Sequence, residues 1–218
     1  MRDQPLFWQI FTPGSEHTDP DFGHLRFETK TIGRLNAPSG AIVACDALVA
    51  PQPTPFSLRL APGYYPITLA IAHFQSGDQR IAAAMLKVAE GEPSTWQVAV
   101  WEGQEPVPVE QDEVPAYGVD SGTGSFLSLE ATKVLAAGFD QSRFDRILAR
   151  MQQTYVNTRE WTDFLLDKER SLNAIIFSSG LGDGAYPSYW GLGASGSPLC
   201  LITDFGLVSP ASKPGGAA

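Results

Sequence analysis

Four aspartates carry the chemistry this 218-residue chain could perform. Asp46 closes the apolar run Ala41-Ile42-Val43-Ala44-Cys45, and Asp204 closes Leu199-Cys200-Leu201-Ile202-Thr203. Asp120 stands in Tyr117-Gly118-Val119-Asp120-Ser121-Gly122-Thr123-Gly124, and Asp183 in Ser179-Gly180-Leu181-Gly182-Asp183-Gly184. In each case a strand or a glycine turn ends on a carboxylate. Two carboxylates brought together can hold a divalent cation such as Ca²⁺ or Mg²⁺, or share a proton so that one is base while the other is acid. The reaction would be a carboxylate-dependent, metal-assisted hydrolysis. Asp120 and Asp183 are then the candidate catalytic groups, and Asp46, Asp120, Asp183 and Asp204 the candidate metal ligands. The opposing expectation is that each aspartate accepts hydrogen bonds from its own turn, the usual role of Asp in such a place.

The stretch after the apolar run Asn173-Ala174-Ile175-Ile176-Phe177 is a candidate ligand-binding loop, comprising Ser179, Gly180, Gly182, Asp183, Gly184, Tyr186, Tyr189 and Trp190. Its glycines can take positive φ at little cost and turn several N–H groups into one concavity suited to an anion or a carbonyl. The three aromatics could stack on a sugar or a base, or fill a core. No nucleophile beside a recognised base, P-loop, dinucleotide fingerprint, HExxH or CxxC occurs, which favours a binding or interaction module for a protein or small molecule, without a cofactor. Val119-Asp120-Ser121-Gly122-Thr123 resembles the active-site loop of aspartic proteases, which pair two Asp-Thr/Ser-Gly loops around one water. Gly182-Asp183-Gly184-Ala185 lacks the hydroxyl residue that a second such loop needs.

The elements that must position these residues read mainly as strands. Leu25 to Leu35 alternates as an edge strand. Phe56, Leu58 and Leu60 and then Tyr65, Ile67, Leu69 and Ile71 alternate around Pro62-Gly63, which predicts a hairpin. His73 continues the second run and is expected in the core. Residues 80–90 and 95–101 add strands, with helix an alternative for the first because of Ala82-Ala83-Ala84. After Asp120 the period changes. Ser128 and Asp140 are placed to cap two helices, Gly138 to stop the first, and Phe144, Ile147, Leu148, Met151 and Tyr155 share a helical face. Trp161, Phe164 and Leu165 extend that spacing. The expected fold is α+β: predominantly antiparallel β, a sandwich or partly open barrel, with a small helical layer from residues 128–168. It occupies one globular domain over 25–208, preceded by an aromatic and polar extension (1–24) and followed by a disordered tail (209–218).

Composition narrows the partners. A formal charge of -9 with no basic cluster argues against nucleic acid, and no run approaches the length of a membrane span. His17 and His24, with Glu16, Asp19 and Asp21 around them, match no metal-ligand spacing and read as a solvated loop. Cys45 and Cys200 lie far apart without metal spacing. They are expected as buried free thiols, which with the absence of a signal peptide points to the cytoplasm.

The five segments Ala44-Cys45-Asp46, Pro62-Gly63-Tyr64-Tyr65-Pro66, Tyr117 to Gly124, Ser179 to Pro187 and Thr203-Asp204-Phe205, in this order over residues 25–207, resemble the bacterial domain-of-unknown-function 4241 family. Ala47 departs from a proline frequent in that family, a change confined to the local turn. The resemblance implies a shared fold and a bacterial source, and no catalytic role.

Overall fold

The computed structural model describes residues 4–49, 54–111 and 113–208; the tail 209–218 expected to be disordered lies outside them. Two antiparallel sheets pack against each other. The larger, curled sheet runs in the order β1 (Glu16–Asp19), β2 (Gly23–Ala37), β4 (Gly63–His73), β5 (Gln79–Lys87), β12 (Pro198–Asp204), β11 (Gly184–Leu192) and β6 (Thr95–Val98). β7 (Ala116–Val119) pairs with the first half of β11, beyond the end of β6. The smaller sheet is β3 (Ile42–Cys45), β8 (Thr123–Ser128), β10 (Leu172–Ser178) and β9 (Trp161–Asp167).

The smaller sheet is covered on both faces, which explains its sequence. In β10, Ile175 and Phe177 face the larger sheet, while Leu172, Ala174 and Ile176 face α2 (Leu129–Ala137) and α3 (Gln141–Met151). A strand buried on both sides needs apolar residues at every position, so Ala-Ile-Ile-Phe shows no alternation. The helices start where their caps put them. Ser128 Oγ accepts from Ala131 N at 3.1 Å, and Asp140 Oδ1 accepts from Arg143 N at 2.7 Å. Gly138 ends α2 as expected.

Several expectations are corrected. The helical layer closes with the 3₁₀ turn Gln152–Thr154, and Trp161–Asp167 is strand β9. Asn157 and Thr158 take φ of 46° and 76°, which reverses the chain between Val156 and Arg159 and stops any helix before Trp161. Asn157 Nδ2 donates to Gly77 O at 3.0 Å and Thr158 Oγ1 bonds Asp78, so the turn between β4 and β5 holds this reversal. The predicted hairpin around Pro62-Gly63 does not form. Phe56 makes a single bridge to Trp101, and Gly63 instead opens the pairing of β4 with Ala37 of β2. β1 covers only the first residues of β2, Gly23 to Arg26, and the remainder of β2 lies at the sheet edge with β4 as its partner. Glu16, His17, Asp19 and His24 therefore lie on paired strands rather than in a loop, while Asp21 sits in the turn between them and donates its N–H to Asp19. The short helix α1 (Leu6–Gln9) packs Phe7 on Tyr189 at 4.6 Å between ring centroids, so this N-terminal stretch covers the outer face of the larger sheet. His73 is half-exposed and meets Glu28 at 3.2 Å, because it is the last residue of β4, where the strand runs out of the core. Both cysteines are buried and neither forms a disulfide. Among the described residues no helix is long and apolar enough to cross a membrane.

Candidate functional site: a cavity over the Asp120 loop

Asp46 leaves the end of β3 and enters the loop between β7 and β8. Its Oδ2 accepts from the N–H of Asp120 (3.0 Å) and of Ser121 (2.8 Å); its Oδ1 accepts from Leu48 N (2.9 Å) and Ser121 Oγ (2.7 Å). Asp183 reaches the same loop from the other side and accepts from Gly122 N at 3.0 Å. Three consecutive amides thus face two carboxylates of the protein itself. An anion-binding nest exists here, and Asp46 and Asp183 fill it. Gly122, with φ of 67°, is the left-handed residue that lets the loop present them.

The loop around Asp183 is also internally bonded. Ser179 Oγ donates to Gly182 O (2.8 Å), Gly182 N to Ser179 O (2.6 Å) and Ser179 N to Gly122 O (2.9 Å). Gly180 N donates to Ile81 O, and a Cβ on Gly180 would stand 2.7 Å from Phe205 O. The amides of Ser179, Gly180 and Gly182 are thereby occupied, and Gly184 already belongs to β11. Tyr186, Tyr189 and Trp190 are buried, packed on Phe205, Phe7 and Phe56 respectively. Alternation along β11 sends Tyr186 and Trp190 between the sheets and Tyr189 to the outer face under Phe7, so all three rings already pack on the protein's own side chains. Burial raises the Tyr186 phenol above its ordinary pKa, with the charges of Asp183 and Asp204 adding to it.

The four aspartates do not assemble as a metal centre. Asp204 is buried and accepts from Gly206 N at 2.9 Å, serving its own turn, whereas Asp46 and Asp183 serve the turn of another segment. Among the described residues no group of three or more His, Cys, Asp or Glu is placed to hold a metal ion. Asp120 differs from the other three. It is exposed, and its carboxylate makes no hydrogen bond or ion pair with the described residues; only its N–H is used.

Asp120 lies on the rim of a cavity of about 550 Å³. The end of β3 (Ala44, Asp46) and one face of β7, continued to Asp120, form part of its lining; Ala116, Gly118 and Asp120 share that face by strand alternation. Trp101, Glu102 and Gln104, from the turn after β6, also line it. Trp101 N donates to Gln104 Oε1 at 3.0 Å, which fixes this turn, and Glu102 pairs with Arg59 at 3.0 Å. Tyr117 lines the cavity too, with its ring in the core. Burial pushes its phenol well above the ordinary value, with Cys45, Tyr186 and Asp46 adding to the rise. Its hydroxyl lies beside Thr203 without a hydrogen bond of normal geometry, and Thr203 Oγ1 meets Ser188 Oγ at 2.8 Å. Sequence reading found Asp46 and Asp120 but missed Trp101, Glu102 and Gln104. The available signal was Gly118, a glycine in mid-strand beside an acidic, proline-rich loop.

Two antiparallel sheets with one helical face, and a cavity where the smaller sheet meets β7, define the class. The chain belongs to the family described as protein of unknown function (DUF4241), which it matches over residues 35–203. No curated protein and no solved structure matches it.

Proposed function

We propose that the chain is a non-catalytic binding module and that its ligand, a small molecule or a side chain projecting from a protein partner, sits in the cavity over β7. Gly118 carries this reading. Its φ is not in the left-handed region, and a Cβ added there would meet no atom within 4 Å, so neither backbone conformation nor packing requires glycine. Glycine weakens a strand interior, and its remaining use is to let another group approach the backbone closely. The volume lies in the usual range for small-ligand sites, roughly 300–1,000 Å³. A hydrolytic role is less well supported, because Asp46 and Asp183 each hold the backbone of the Asp120 loop and no group of three or more His, Cys, Asp or Glu among the described residues is placed to hold a metal ion.

The test is a fragment screen by ligand-observed NMR on the wild-type chain and Gly118→Leu. The added side chain enters open space and removes a strand glycine, so the variant should be as stable as wild type or more so, by roughly 0.5–1 kcal/mol. Fragments that bind wild type should lose at least about tenfold in affinity. Equal binding to both proteins, or no binding to wild type, contradicts the assignment.

A further inference from the structure

Resting on the cavity as the seat, we infer that its ligand is an organic cation: a guanidinium or primary ammonium group on an aliphatic stem. The lining includes Asp46, Glu102 and Asp120 and, among the described residues, no Lys, Arg or His. Glu102 already has Arg59 as its partner and Asp46 is held by the loop amides, so the charge open to a ligand is that of Asp120, with Asp46 adding to the negative field. Asp46 is only 6% exposed, yet every group bound to its carboxylate is a neutral N–H or O–H; no described cation pairs with it. A buried charge is ordinarily paired, and Asp46 lines the cavity. Asp120 offers an exposed carboxylate with no partner among the described residues. Trp101 supplies an aromatic wall of the kind that attracts cations, and Ala44 and Ala116 supply apolar surface for a stem. A cleft lined by one sign of charge, in a chain of net charge -9, concentrates counter-ions before contact.

The experiment compares butylguanidinium with butylurea, which has nearly the same shape and no charge, by isothermal titration calorimetry at low ionic strength. Wild type should bind the cation at least about tenfold more tightly than the urea. Asp120→Asn should weaken the cation by about tenfold to a hundredfold, the worth of one charge-assisted hydrogen bond, while leaving the urea unchanged. Gly118→Leu should weaken both. The tripeptide Gly-Arg-Gly distinguishes the sources: tighter binding than butylguanidinium identifies a side chain projecting from a polypeptide, and weaker binding a free small cation. Equal binding of urea and cation, both lost in Gly118→Leu, overturns the cation assignment and leaves the seat standing. Cation binding undiminished in both variants overturns the assignment as well, and absence of binding by either compound overturns it together with the seat.

Discussion

Asp46 and Asp183 both accept from the amides of one loop, but in different surroundings, and this sets different consequences for their loss. Asp46 is buried and holds two backbone N–H groups of the loop, one of its own turn and the hydroxyls of Ser121 and Thr123, whereas Asp183 holds one N–H in a more open position. Hydrogen bonds to charged groups contribute about 1.5–3 kcal/mol each, and donors left buried without a partner cost more than exposed ones. Asp46→Ala is therefore expected to cost about 3 kcal/mol or more in urea unfolding, and Asp183→Ala about 1 kcal/mol. Asp46→Asn should not restore the loss. Both oxygens face a backbone N–H, so either orientation of the amide sets an NH₂ against a donor. Equal costs for Asp46→Ala and Asp183→Ala would contradict the role given to Asp46.

At the scale of elements, the caps set where the helical layer begins. Ser128 is fully buried and its hydroxyl is the acceptor that satisfies Ala131 N, so Ser128→Ala should cost about 1–2 kcal/mol, measured by chemical denaturation. A cost near zero would mean that the cap is dispensable. Signals of this sort were legible in the chain because they are local: the caps at Ser128 and Asp140, the stop at Gly138 and the apolar run of β10 each lie within a few residues. Trp161, Phe164 and Leu165 fit a helical face and a strand equally well in so short a window. What decides between them is the reversal at Asn157 and Thr158, held by Asp78 from a distant turn. Phe56 to Leu60 alternates like a strand, but β4 finds a longer partner in β2. The site was half legible for the same reason. Sequence identifies the loops that bear Asp46, Asp120 and Asp183, while the cavity arises where β3, β7 and the turn after β6 meet, a juxtaposition that no single stretch encodes.

At the scale of the whole molecule, the two-faced packing of both sheets buries titratable groups that control its alkaline limit. Burial pushes the Cys200 thiol up to about 12 from 9.0, and burial, aided by the charge of Asp204, pushes the Tyr189 phenol to about 12 from 10.0. Each group keeps its proton longer in the folded chain than in the unfolded one. Their contribution is thus complete below the unfolded values and is lost as pH rises from 9.0 for Cys200, and from 10.0 for Tyr189, toward about 12. Each titrating group adds a slope of about 1.4 kcal/mol per pH unit. Urea midpoints taken between pH 8 and 11 should fall above pH 9, and fall less steeply in Cys200→Ala; identical slopes would contradict this.

The central claim is the location of the ligand seat, and an amide-resolved ¹H–¹⁵N titration with butylguanidinium tests it most directly. The account predicts the largest shifts at Ala116, Gly118 and Asp120 and at the indole N–H of Trp101, with the amides of 180–184 unmoved. Shifts centred on 180–184 and absent from β7 would contradict it.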